Sequence, residues 1–500
     1  LYIRKFTENP DRVPSQYMEN LPPSLHTGTP GAFWLRTRLP TTKESMVMSR
    51  QNQTTAAGKI SDPHCGRFPT YPAAAPAFTR PRGGILLTIL LTATVSLTAG
   101  NVVSDWNAIA SATIVKNGGK PPSSSPIWFA YTSIAVYDAV NAITGQHRPF
   151  YYRASAPRQA SVDAAAVAAA HRVLVNYFPA QQSDLDAKFA ASLAKINGDS
   201  KATDAGVSAG EGAAFALIAA RMGDGLEANV PYVPGTGYGI WIPTPPAFAP
   251  AATPWLKQFR PFTMTSAGEF RPDGPTPLTS EPWKRDYNLT RLFGAANSTL
   301  RSASETEIGL FWTEHPPQQY ARAFGYLLDH YGLSVPDSAR LMAILWAGYS
   351  DAITACFDAK YTYSFWRPVT AVIAGGGNAD LQSDPSWVPL GTTPNHPEYP
   401  AAHGCATGAV STLLTGYFGT TKVHFVADST VFQDGVHTHT FEDSRDLIDE
   451  VFWARIYAGF HYHHSLEVGE ALGATVAREL LRSHFVTRHA GRESRGAEKE

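Results

Sequence analysis

From Asp105 onward, apolar residues recur at the three-and-four spacing of a buried helix face, segment after segment, and strong strand signals are missing. Residues 105–115 and 126–143 both run into Gly-rich stops. Residues 162–177 are Ala-rich, close on Phe178-Pro179 and have Ser161 as their cap. Residues 183–196 and 203–222 continue the series. The pattern resumes at 305–312 and 320–331, and Pro336-Asp337-Ser338 opens a long helix that runs toward Tyr363. Helices over about 442–457 and 465–482, parted near Gly459, complete the chain. The spacing predicts an all-α fold, a large helical bundle with long Pro/Gly-rich loops. The longest loop, 228–284, is crowded with Pro, Gly and Thr, which suits a segment that serves a site or a surface excursion.

The first hundred residues differ. The chain opens on Leu1 and runs through Pro-rich sequence without period, and Met18, Met46 and Met48 are candidate starts. Arg80-Pro-Arg82, an apolar run over 85–97 and the small residues Thr98-Ala99-Gly100 have the three parts of a secretory signal. The run falls short of the roughly 20 apolar residues that a membrane span needs. We therefore expect residues 1–100 to be leader and 101–500 to be one helical domain, secreted or periplasmic, with its site over 350–470 and no stable span. A net charge of −1 offers no basic surplus for nucleic acid. With Cys65 in the leader, Cys356 and Cys405 remain, which make no disulfide framework and no C-x-x-C metal site.

Three stretches carry chemistry. In Pro394-Asn395-His396-Pro397-Glu398-Tyr399-Pro400-Ala401-Ala402-His403, Pro400 suits a first helical position, followed by small residues and a buried helix over 406–418. Such a helix start leaves bare N–H groups at Ala401 and Ala402 that attract an anion, with His403 on the rim to give or take a proton. Lys360 and Arg367 lie seven residues apart in apolar and aromatic surroundings, on one face if the helix persists that far. Arg455 and His461 flank Gly459, where a helix stop turns His461 back toward Arg455. Each stretch alone has an ordinary structural explanation: snorkelling cations, a capping histidine, a helix-end charge. Together they gather three cations, two arginine forks and two histidines around one phosphate-like guest, and such a guest removes the cost of burying those charges.

The order Lys-x6-Arg-Pro, Tyr-Pro-x-x-His, Arg-x5-His resembles the vanadium-dependent haloperoxidases, which share their pocket with type-2 phosphatidic acid phosphatases and bacterial acid phosphatases. The three motifs span residues 360–461, and looser likeness extends to Asp105-Trp-Asn-Ala and Tyr137-Asp-Ala-Val-Asn-Ala. The resemblance implies that Lys360, Arg367 and Arg455 bind vanadate oxygens, that His461 bonds V(V), and that His403 is the acid/base. It implies hydrogen peroxide, halide and a small organic molecule as substrates, with Lys360 polarising the bound peroxide. Where the family commonly has Pro-Ser-Gly-His, this chain has Pro400-Ala401-Ala402-His403, so a hydroxyl is missing at Ala401. That loss costs about 1 kcal/mol as a neutral bond, or about 3 kcal/mol as a transition-state donor. His396, at a position where an aromatic residue goes with chloride, points to bromide.

Phosphate is nearly isosteric with vanadate, so acid phosphatase activity, with His461 attacking phosphorus and His403 protonating the leaving group, is the alternative. A zinc centre from His461, His463, His464, Glu467, His437 and His439 has no HExxH and leaves the cations without purpose. An inactive binding protein finds support only in Ala401. Gly206-Val-Ser-Ala-Gly210 matches a nucleophile elbow but lacks the strand that should precede it. Asn288-Leu-Thr and Asn297-Ser-Thr accept glycans only in a eukaryotic source.

Overall fold

The structure is a computed structural model that describes residues 101–488; the expected leader and signal segment lie outside the described residues. Thirteen α-helices and one hairpin make up the described fold. In order these are α1 (Val102–Ser111), α2 (Ser125–Thr144), α3 (Val162–Tyr177), α4 (Gln182–Lys195), α5 (Ser200–Arg221), α6 (Glu281–Phe293), α7 (Ala303–Phe311) and α8 (Pro316–His330). There follow α9 (Val335–Tyr363), α10 (Pro368–Ile373), α11 (Ala402–Phe418), the antiparallel pair β1 (Phe425–Ser429) and β2 (His437–Phe441), α12 (Ser444–Tyr457) and α13 (His463–Ser483). Ser161 caps α3 as its position predicts, accepting the Ala164 N–H. No described helix is long and apolar enough to cross a membrane.

The bundle is centred on α9. Every residue from Leu341 to Tyr361 is buried, the signature of a helix surrounded on all sides by others. α2 covers one side of it, and α11 and α13 cover another. α3 packs on α5 so closely that a methyl group at Gly206 or Gly210 would strike the carbonyls of Ser161 or Ala165. The G-x-S-x-G match is therefore a helix-packing stripe, and its Ser208 is exposed. α11 and α13 approach in the same way: a methyl at Gly473 would run into the Cys405 carbonyl. The long excursion between α5 and α6 is fastened to the middle of the molecule. Asp351 of α9 accepts the N–H groups of Phe262 and Thr263, each at 2.7 Å. Ala252 N–H donates to the Asn395 carbonyl at 2.8 Å, which ties the excursion to the stretch that precedes α11.

Three expectations need correction. Pro400 is not the first helical residue: α11 begins at Ala402 with Ala401 as its N-cap. Lys360 and Arg367 do not share a helix face, because Ser364 takes a left-handed conformation (φ 49°), ends α9 and turns the chain. Arg367 instead occupies the N-cap position of α10, with its side chain free of any capping bond. Finally, α6 covers residues assigned in part to loop. Ser280 accepts the Trp283 N–H and Pro282 occupies the first turn, so a true helix start was hidden in Pro-rich sequence.

Candidate active site

Tyr349, Ile353 and Phe357 of α9, the 394–403 stretch and the turn after α12 meet at a cavity of about 570 Å³. Ala402, His403, Arg455, His461 and His396 line it, with Phe357, Ile353, Trp312 and Phe460 among its apolar walls. The three cation-bearing motifs thus meet in one place.

The cations have different surroundings. Lys360 is fully buried, and its ammonium donates to the carbonyls of Pro397 (2.9 Å), Glu398 (2.8 Å) and Pro400 (2.6 Å). Those three bonds use every proton that a lysine can donate. Lys360 therefore ties the loop before α11 together, and the expectation that it points at the guest is corrected. Arg367 donates through Nε to the His396 carbonyl (2.9 Å), through Nη1 to the Phe460 carbonyl (3.0 Å) and His461 Nε2 (3.3 Å), and through Nη2 to His396 Nδ1 (2.9 Å). Arg455, in the last turn of α12, donates through Nη1 to the Trp312 carbonyl (2.5 Å) and stacks on Phe460. Its Nε is buried without a partner, and so is Nε2 of His403.

At the start of α11 the Ala401 N–H is already spent on the Ser465 carbonyl (2.9 Å), which corrects the expectation that it cradles an anion. No side chain caps the helix, so the first-turn N–H groups that begin with Ala402 remain as the anion-attracting end. His461 turns its Nδ1 to Glu398 Oε1 (2.8 Å), and Thr290 of α6 holds the His461 carbonyl (3.0 Å). Glu398 also accepts the Tyr462 N–H (3.1 Å) and the Ser465 hydroxyl (2.6 Å). Sequence reasoning gave Glu398 no role. Its signal was a lone acid between two prolines in an apolar stretch.

Burial governs the titration of these groups. It pushes Lys360 down to about 8, Arg367 to about 10 and Arg455 to about 9, and it raises Glu398 to about 7. His396, His403 and His461 are held well below the ordinary histidine value, by burial first and by the neighbouring guanidiniums second. Three buried cations, Lys360, Arg367 and Arg455, stand beside one buried carboxylate, Glu398, and of the three Arg455 lines the cavity. That imbalance, the two orphaned nitrogens and the uncapped helix start fit a tetrahedral oxyanion. Among the described residues no three His, Cys, Asp or Glu side chains are grouped so as to hold a metal ion by themselves. His463 and His464 pair with Glu467, and His437 and His439 pair with Glu307, apart from His461. Cys356 and Cys405 are both buried and free.

Residues 340–489 match the model of the vanadium chloroperoxidase second helical-bundle domain. This part of the chain is similar to the vanadium haloperoxidases. A stretch of 150 residues is 29% identical to the vanadium chloroperoxidase of Curvularia inaequalis, a match that covers 25% of this chain and 24% of that protein. The chain thus matches about a quarter of its curated relative's length. The likeness in fold reaches further. A bacterial vanadium-dependent iodoperoxidase superposes with a TM-score of 0.65 at 21% identity, over 77% of this chain and 97% of its own. A bacterial vanadium-dependent chloroperoxidase in its holo form gives 0.59 at 14% identity, over 74% and 93%. The helical fold expected from the periodicity is the fold these proteins share.

Proposed function

We propose that this chain is a vanadate-dependent haloperoxidase that oxidises halide with hydrogen peroxide to hypohalous acid and so halogenates small organic molecules. The observation that carries the reading is the pair of buried nitrogens left without partners, Arg455 Nε and His403 Nε2, on two residues that line the cavity beside the buried Arg367. Bound vanadate supplies V(V) as a Lewis acid that activates peroxide without changing its own oxidation state. His461 would hold it through Nε2, since Nδ1 is taken by Glu398. Arg455, Arg367 and the first N–H groups of α11 would neutralise its oxygens. His403, neutral and buried, takes a proton from entering peroxide and returns one to the leaving oxygen. Lys360 acts through the backbone, holding the carbonyls that shape the loop.

His396 supports bromide over chloride as the halide. Its ring accepts from Arg367 and packs 4.9 Å from Phe357, so a neutral imidazole lines the cavity. The signal-like segment before residue 101 supports export. The test is bromination of a phenol probe with and without orthovanadate, alongside release of phosphate from an aryl phosphate. Vanadate-dependent bromination supports the reading. Phosphate release that vanadate inhibits replaces it with the phosphatase reading, and silence in both assays overturns both.

A further inference from the structure

We infer that Glu398 is a positioning residue: it fixes His461 in the tautomer that carries its proton on Nδ1, so that Nε2 is the ring's acceptor, met by Arg367 Nη1 in this structure. The inference about the tautomer stands on geometry alone; its consequence for vanadate rests on the function proposed above.

Two neighbours dictate the same arrangement from opposite sides of the ring. Arg367 Nη1 lies 3.3 Å from His461 Nε2, and a guanidinium can only donate, so Nε2 must accept. The proton of the neutral ring then sits on Nδ1, and Glu398 Oε1, 2.8 Å away, receives it. Glu398 is itself held from two more directions, by the Tyr462 N–H on Oε1 and the Ser465 hydroxyl on Oε2. All of these groups are buried. Glu398 cannot swing away without leaving buried donors unpaired. The carboxylate joins the loop before α11 to the turn after α12, so it sets the ring's orientation as well as its proton. A histidine whose far nitrogen is bonded to a carboxylate makes a more basic, better oriented ligand through the near one.

The experiment uses the full chain, selectively labelled with 15N-histidine and free of vanadate, at pH 8. The ring signals of His461 are identified by their loss in His461→Gln. The expected result is a protonated Nδ1 and an unprotonated Nε2 in the unmodified protein. In Glu398→Ala the ring loses that fixed pattern, and the dissociation constant for orthovanadate rises roughly 10- to 100-fold. Glu398→Gln, which keeps an acceptor oxygen and guards against misfolding, falls between the two, and Ser465→Ala weakens binding by a few fold. A proton on Nε2 in the unmodified protein overturns the inference, as does unchanged vanadate affinity in a folded Glu398→Ala protein. If the tautomer is as stated but neither orthovanadate nor inorganic phosphate binds, Glu398 keeps its role and the function proposed above falls.

Discussion

Arg455 Nη1 donates to the Trp312 carbonyl at 2.5 Å, while its Nε is left without a partner and the residue lines the cavity. The backbone at the end of α7 thus holds a charge carried by α12. A bond of this kind to a charged guest is worth about 1.5–3 kcal/mol. Arg455→Ala should therefore weaken orthovanadate or phosphate binding roughly 10- to 100-fold in equilibrium titration. Arg455→Lys should recover little of the loss, because an ammonium cannot hold the Trp312 carbonyl and point a second donor inward with the same geometry.

Lys360 makes the opposite prediction. With its ammonium spent on three carbonyls, Lys360→Met should unsettle the loop before α11 even when no guest is present. Each buried acceptor left unpaired costs about 1–3 kcal/mol. Thermal melts of the ligand-free protein should show a clear fall in Tm. An unchanged Tm with lost peroxidase turnover would return Lys360 to the role of peroxide activator.

The three site histidines should make the ligand-free protein lose stability at low pH. His396, His403 and His461 are held below their ordinary value in the fold, so the unfolded chain takes up protons that the native one refuses. Stability from these groups is present above about pH 6.5 and is lost below it, by at most about 1.4 kcal/mol per pH unit for each histidine. Glu398 opposes them. Its folded carboxyl keeps a proton between about 4.5 and about 7, where the unfolded one has lost it. Elsewhere Asp138, Asp351 and Glu470, raised by burial to about 6, 6 and 8, act as Glu398 does. The check is therefore a difference: His403→Gln should lose less Tm between pH 7 and pH 5 than the unmodified protein.

The Gly206–Gly210 stripe separates packing from chemistry. Gly206→Ala forces a methyl into the Ser161 carbonyl and should cost about 1–3 kcal/mol by overpacking. Ser208→Ala, on the exposed side of α5, should leave both Tm and activity unchanged. Loss of activity in Ser208→Ala would reopen the nucleophile that the missing strand rules out.

The helices were legible because their signals are local: periodic apolar residues, Ser161 before 162–177, the Pro336-Asp337-Ser338 opening. The residues around the guest were legible because charged side chains stand in apolar runs, where solvent cannot explain them. What each charge touches was less open to reading. The partners of Lys360 are backbone carbonyls, and carbonyls occur at every position and leave no mark in side-chain identity. The path of Arg367 depends on one left-handed residue, Ser364, which no periodicity announces. Glu398 finds His461 across 63 positions of sequence, through a contact that only the fold creates. α6 was hidden because its start, Ser280-Glu281-Pro282, reads equally well as more of the Pro-rich excursion before it.

The recognisable family segment begins at residue 340, inside α9, yet the far side of α9 belongs to other helices. Phe129 of α2 lies flat on Trp346 at 4.1 Å, and Asn107 of α1 accepts the Trp346 indole N–H at 3.2 Å. A fragment cut at the segment's edge would lay bare a strip of aromatic rings on the helix that carries Lys360. Helices α1 and α2, which precede the matched segment, are therefore the wall against which α9 is built, and neither side can be exchanged without recutting the seam.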